Sequence, residues 1–96
     1  RFIIHTVGPI WSGGSEGEAE LLRRAYQSVF AAALAERSIR TIAFPSISTG
    51  VYGYPKHVAA AIAVAVMRAH QGQFEHVIAC AFSEQDAAIY RKELGA

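Results

Sequence analysis

The stretch TIAFPSISTGVYGYPKHVAAAIAVAVMRAHQG, residues 41–72, decides the fold. Thr41-Ile42-Ala43-Phe44 is a short apolar run of the kind that forms a buried strand, and Pro45 stops it because proline has no N–H to give a ladder. A loop with two glycines follows, Ser46 to Tyr54. Pro55 then suits the first turn of a helix, where its missing N–H has no partner to lose. Val58, Ile62, Ala65, Val66 and Ala69 recur at helical spacing, and the alanines elsewhere in the segment permit close approach to a sheet. The helix is expected to end near Gln71-Gly72. Strand, loop and helix in that order are the repeating unit of a parallel α/β sheet.

The same alternation extends in both directions. Upstream, Phe2-Ile3-Ile4-His5-Thr6-Val7 is β-branched and aromatic and is closed by Gly8-Pro9, which reads as a buried strand ending in a turn. After the loop Trp11 to Ser15, Ser15 and Glu18 form a capping-box pattern. The helix they open is expected to run to about Glu36, with Leu22, Tyr26, Val29, Phe30, Ala33 and Leu34 as its inner stripe. Downstream, His76 to Phe82 reads as a third strand. Ser83 and Asp86 then cap a last helix whose inner face is Ala87, Tyr90 and Leu94. The order β-α-β-α-β-α predicts a mostly parallel sheet with helices on both faces. Three strands are few for such a sheet, and the chain enters its first strand at residue 2 with no polar lead-in. A preceding segment, or a partner chain, is therefore expected to complete the sheet and cover its edges.

Composition narrows the function. The chain has 96 residues, 52% hydrophobic and 18% charged, with nine Lys and Arg against eight Asp and Glu. This supports one ordered domain and excludes disorder. A formal net charge of +1 gives no field to gather nucleic acid or anionic lipid, so an anionic ligand must be held by local geometry. Neither is expected as a partner, and no apolar run reaches the ~20 residues of a membrane span. Cys80 is the only cysteine, which excludes an internal disulfide and a thiolate zinc site and makes a reducing cytoplasm the default location.

In an open α/β sheet, ligands bind beyond the carboxyl ends of the strands. That places the candidate site at Ser46 to Tyr54. Its glycines let backbone approach a ligand, successive N–H groups can form an anion nest, and the next helix begins with a partial positive charge. Ser48 and Thr49 add hydroxyl donors, and Tyr52 and Tyr54 can wall a sugar. The plainer alternative is that Gly50 and Gly53 only supply turn geometry. The loop is not G-x-x-x-x-G-K-[ST], and no G-x-G-x-x-G follows residues 2–7, which disfavours a P-loop ATPase, a kinase and a dinucleotide dehydrogenase.

Phe2 to Trp11 (FIIHTVGPIW), Gly13 to Glu18 (GGSEGE) and above all Pro45 to Pro55 (PSISTGVYGYP) resemble the macrodomain family, near its MacroD-type bacterial O-acetyl-ADP-ribose deacetylases. The resemblance covers essentially residues 1–96 and makes the chain the C-terminal portion of a single macrodomain. It implies a three-layer α/β/α fold, here incomplete. It also implies that Ser48, Thr49, Gly50, Val51 and Tyr52 wrap the diphosphate and distal ribose of ADP-ribose, and that Phe82 packs near the adenine. For Phe82 the alternative is a core residue capping the sheet. The ligand implied is ADP-ribose or O-acetyl-ADP-ribose, with an ADP-ribosylated protein as a further partner, and neither cofactor nor metal is required. The implied function is hydrolysis of an acyl group from O-acetyl-ADP-ribose or of ADP-ribose from modified proteins. A non-catalytic ADP-ribose reader and an incomplete domain inactive alone are the alternatives. The family's NAAN motif, its glycine-rich first loop and its acidic adenine-recognising residue are not in these 96 residues, so no catalytic residue is assigned.

Other reactive residues read as structural. His5, inside an apolar strand, is expected to be a hydrogen-bonded core histidine, and His57 and His70 to be surface residues of a helix. Cys80 is expected to be a buried, inert thiol, Trp11 to pack at the loop base, and Ser48 lacks the setting of a hydrolase nucleophile.

Overall fold

The computed structural model describes residues 2–50 and 52–95. Its elements are α1 (Glu18–Ala35), β1 (Thr41–Phe44), α2 (Lys56–His70), β2 (His76–Ala79) and α3 (Glu84–Leu94), with a single 3₁₀ turn over Gln71–Gln73. β1 and β2 pair in parallel, Thr41 opposite His76 through Phe44 opposite Ala79. A right-handed crossover is what such a pair demands, and α2 supplies the crossing segment.

Side-chain alternation divides the sheet into two unlike faces. Ile42 and Phe44 are buried and their partners Val77 and Ala79 half-buried, whereas Thr41, Ala43, His76 and Ile78 are exposed. All three helices contribute to the one core on the first face: Leu22, Tyr26 and Phe30 from α1, Ala60 and Ala63 from α2, Tyr90 from α3. The α/β class and parallel pairing match expectation. Of the expected layers, the described residues build the sheet and the helices on one side of it.

The strand expected at residues 2–7 is not formed. Ile3 and Val7 are over 80% exposed. A strand needs a ladder partner for its N–H and C=O groups, and among the described residues none pairs with this segment. Instead, a cavity of about 1070 Å³ separates residues 2–6 from β1 and its lead-in, residues 39–44. For the same reason His5 is exposed rather than buried in a core.

Helix α1 keeps its expected stripe: Leu22, Tyr26, Val29, Phe30 and Ala33 are buried, while Leu34 at its end is exposed. Burying a side chain such as Leu22 or Phe30 contributes about 1.5–3 kcal/mol. Helix α2 is rotated from its expected orientation. Ala59, Ala60, Ala63, Val64, Val66 and Met67 face inward, and Val58, Ala65 and Ala69 face out. Because α2 packs against both α1 and α3, its buried face is wide: alanines at 59, 60 and 63 permit close approach, and Val64, Val66 and Met67 fill the space beside them. His70 is half-buried, its ring stacked on Phe30 at 4.5 Å and its Nδ1 2.9 Å from the Val66 carbonyl, rather than a surface residue. The third strand stops at Ala79, so Cys80 is exposed beyond it instead of buried within it.

Candidate functional site

Both strands run the same way, so the loops leaving Phe44 and Ala79 emerge at one edge, the carboxyl edge of the sheet. The first of these loops is tied down at each end. Ser46 Oγ lies 3.1 Å from the Tyr90 hydroxyl, and the Ile47 N–H donates to the Tyr26 hydroxyl at 3.1 Å. Further on, the Tyr54 N–H donates to the Ser48 carbonyl at 2.9 Å and the Gly53 N–H to the Gly50 carbonyl at 3.0 Å. The Trp11 N–H donates to the Tyr52 carbonyl at 2.9 Å, which fastens the turn to the N-terminal segment. Trp11 thus sits at the loop base as expected, its ring 4.8 Å from that of Tyr54.

Between these ties the backbone is open. Ser48 has φ +68°, a left-handed conformation rare for a side chain other than glycine, asparagine or aspartate. Among the described residues, the N–H groups of Ser48 and Gly50 have no hydrogen-bond partner, and that of Thr49 turns toward the Ser46 carbonyl across the turn over Ile47 and Ser48. A left-handed residue within a turn, with unpaired N–H groups beside it, is the makeup of an anion nest. The two loop glycines have different reasons to be glycine. Gly53 has φ +73°, which its turn requires, whereas Gly50 has no such angle and a Cβ on it would meet open space. Turn geometry therefore accounts for Gly53 and leaves Gly50 as a place where another molecule can reach the backbone.

The hydroxyls are less available than the sequence suggests. Thr49 Oγ1 donates to the Ser46 carbonyl at 3.4 Å, and Ser48 Oγ is buried without a protein partner. Tyr54 is 2% exposed and cannot wall a bound sugar; its ring fills the core against Trp11. Burial raises its phenol, and the nearby Glu18 carboxylate raises it further. Tyr52, 39% exposed, remains as a wall. Phe82 is 84% exposed, which rules out the core alternative, and it stands on the segment leaving β2 at the same sheet edge as the loop. Val51 lies outside the described residues. The structure thus gathers Ser48, Thr49, Gly50 and Tyr52 in one turn, with Phe82 on the neighbouring connection.

Three supports of this loop are invisible in spacing. Tyr26 and Tyr90 read as apolar stripe residues, and only their being tyrosine rather than phenylalanine hints at a polar task. Glu18 reads as the second half of a capping box, but Ser15 does not cap α1. The helix starts instead at Gly17, with φ +76°, and the Glu18 carboxylate accepts from the N–H groups of Ser12 at 2.7 Å, Gly14 at 3.1 Å and Glu16 at 2.8 Å. Burial alone would raise this carboxyl; the N–H groups around it outweigh that and hold it below the ordinary range. A folded carboxylate thereby organises the loop that carries Trp11. At the other end, the Ser83 hydroxyl accepts from the Asp86 N–H at 3.1 Å as expected, and Lys56 Nζ lies 2.9 Å from the Asp86 carboxylate, joining the starts of α2 and α3. Among the described residues, no three His, Cys, Asp or Glu side chains converge as a metal site would need.

The chain is similar to known proteins along its whole length. A family model described as Macro domain matches residues 1–63. A macro domain-containing protein of Chlorobaculum tepidum is 53% identical over 98 residues, which cover 99% of this chain and 56% of that protein. An O-acetyl-ADP-ribose deacetylase of Klebsiella pneumoniae is 50% identical over 95 residues, covering 96% of this chain and 54% of the relative. The Oceanobacillus iheyensis macrodomain with ADP superposes with a TM-score of 0.90 at 43% identity, over 99% of this chain and 50% of that one. The chain spans about half the length of the curated relatives it matches. With the family model covering most of its length and the strand–loop–helix unit in place, the chain belongs to the macro domain family.

Proposed function

We propose that this protein binds ADP-ribose, with the N–H groups of Ser48, Thr49 and Gly50 holding the diphosphate and Tyr52 lying along the distal ribose. The observation that carries this reading is the exposed turn at Ser48 to Gly50, fastened on both sides, in which the N–H groups of Ser48 and Gly50 have no partner among the described residues. An anion needs those N–H groups, and the start of α2 adds its partial positive charge. The ADP bound by the Oceanobacillus iheyensis macrodomain supports a ligand of this chemistry. Phe82, exposed at the same edge, is suited to cover the adenine.

In the whole protein, the reading extends to hydrolysis of an ester at the distal ribose, as in O-acetyl-ADP-ribose or ADP-ribosylated protein. The deacetylase relatives support it. Such a reaction asks mainly for a positioned water and electrostatic stabilisation. The groups that aim the water would come from polypeptide outside these 96 residues, and the cavity beside β1 is where an added strand would pair with the sheet. The alternative, a non-catalytic reader, would need only this loop and the aromatic side chains of Tyr52 and Phe82, both exposed.

Calorimetric titration with ADP-ribose tests the binding. Uptake by this chain, strengthened in a version extended at its N-terminus, is the expected result; no heat in either would reject it. Single-turnover deacetylation of O-acetyl-ADP-ribose separates the enzyme from the reader, since an extended chain that binds yet leaves the ester intact is a reader.

A further inference from the structure

We infer that Tyr26 and Tyr90 are positioning residues for the ligand loop: their hydroxyls, reaching from two different helices, fix Ser46 and Ile47 and so hold the nest at Ser48 to Gly50 open. This rests on the binding reading above and names the side chains that shape its site.

The argument starts from the cost of a phenol in a core. Tyr26 is fully buried and Tyr90 nearly so, both within the main apolar cluster. The Tyr26 ring already has apolar company, its centroid 5.7 Å from that of Phe44. Phenylalanine would fill the same space with no polar group to desolvate, and a buried hydroxyl is unfavourable unless it is hydrogen-bonded. The bonds these hydroxyls make go to adjacent loop residues. Tyr26 accepts the Ile47 N–H at 3.1 Å, and Tyr90 meets Ser46 Oγ at 3.1 Å.

The next residue, Ser48, carries the left-handed backbone at φ +68°. A strained conformation persists only where its surroundings over-determine it. Immediately before it the two phenols fix the chain, and immediately after it the Ser48 carbonyl is taken by the Tyr54 N–H. If Ile47 were released, its N–H would have to find another acceptor in a half-buried setting, and the neighbouring carbonyls of the loop are the nearest choice. The nest would then spend its turn geometry on itself. Burial, with the neighbouring Tyr90 next, pushes the Tyr26 phenol far above neutrality, so it stays a protonated hydroxyl throughout the useful pH range.

The test uses the full chain with Tyr26→Phe and Tyr90→Phe, each keeping its ring in the core, and Leu22→Ala as a control that destabilises the core and removes no hydrogen bond to the loop. Thermal melting, amide hydrogen exchange at residues 46–50 and ADP-ribose titration are read together. For Tyr26→Phe the expected result is a cooperative melt, exchange at Ile47 faster by about tenfold with α2 amides unchanged, and affinity for ADP-ribose weaker by about five- to tenfold, the scale of one lost hydrogen bond. Tyr90→Phe should weaken affinity in the same direction. Leu22→Ala should melt lower and bind with unchanged affinity. Tyr26→Phe with wild-type exchange at Ile47, or with wild-type affinity, overturns the inference, as does an affinity loss in Leu22→Ala equal to that of the tyrosine variants. If the unsubstituted chain takes up no ADP-ribose, the binding reading fails for this chain and the exchange comparison alone decides: unchanged rates at residues 46–50 in both tyrosine variants reject the positioning role, and faster rates uphold it.

Discussion

Gly8 and Ser48 lie so close that a Cβ on Gly8 would collide with the Ser48 hydroxyl and with the Ile47 side chain. The N-terminal segment thus touches the loop from Ser46 to Tyr54 at the residue with the left-handed backbone. Gly8→Ala should force the two apart, costing about 1–3 kcal/mol as overpacking does, and should weaken ADP-ribose binding at the same time. A melting curve and a titration on the one variant check both; an unchanged melting temperature would mean that the contact is not maintained in solution.

Gly50 and Gly53 should respond in opposite ways to alanine. Gly50 has open space at its Cβ position and no positive φ. Gly50→Ala is expected to hold or raise stability, by up to about 0.5–1 kcal/mol through the unfolded chain. Gly53→Ala, at φ +73°, should lose about 1–2 kcal/mol. Gly50→Glu is expected to fold normally and to abolish ADP-ribose binding, because it sets bulk and negative charge where phosphate approaches. Denaturant melts and calorimetry separate the three variants.

The Glu18 carboxylate predicts an acid-sensitive loop. Its pKa is lowered in the folded state, so the folded protein binds this proton less readily than the unfolded chain. The stability it contributes is complete above the ordinary carboxylate range and drains away as pH falls through the depressed folded value. Glu18→Gln should melt lower at neutral pH and show a flatter acid limb than the parent. Parallel limbs in a pH series of thermal melts would contradict this.

Ser83 caps α3 through the Asp86 N–H. Ser83→Ala should cost about 1 kcal/mol, the usual loss of an N-cap side chain. Ser83→Gly should cost only a few tenths, since glycine is tolerated at that position. Chemical denaturation of the two variants gives the comparison directly.

Local pattern was enough for β1, for the α1 stripe from Leu22 to Ala33, for the Ser83 cap and Tyr90 of α3 and for the loop between Phe44 and Pro55, because proline, glycine and apolar spacing act within a few residues of where they stand; it failed at the helix ends, where Ser15 does not cap α1 and Leu94, expected on the inner face of α3, is exposed beyond the last packed turn. It also located the turn that gathers Ser48, Thr49, Gly50 and Tyr52. What it could not fix were properties that depend on neighbours distant in the chain. Residues 2–7 have strand composition, yet whether they pair depends on a neighbouring strand. The inward face of α2 followed from its position between α1 and α3, which buries Ala59, Ala60, Ala63, Val64, Val66 and Met67, keeps Ile62 half-buried and leaves Val58 exposed. Tyr54 and Tyr52 look alike in sequence, and only the ring of Trp11 decides that one is core and the other surface.

By itself, then, the sequence determined the alternation of elements and the composition of the loop from Ser46 to Tyr54, because backbone freedom and helical or strand periodicity are written residue by residue. Only the tertiary structure decided which groups hold that loop open. The Tyr26 and Tyr90 hydroxyls, the Glu18 carboxylate and the bare Cα of Gly8 act through contacts between segments far apart in the chain, and hydrogen bonding and steric exclusion between such segments leave no local pattern to read.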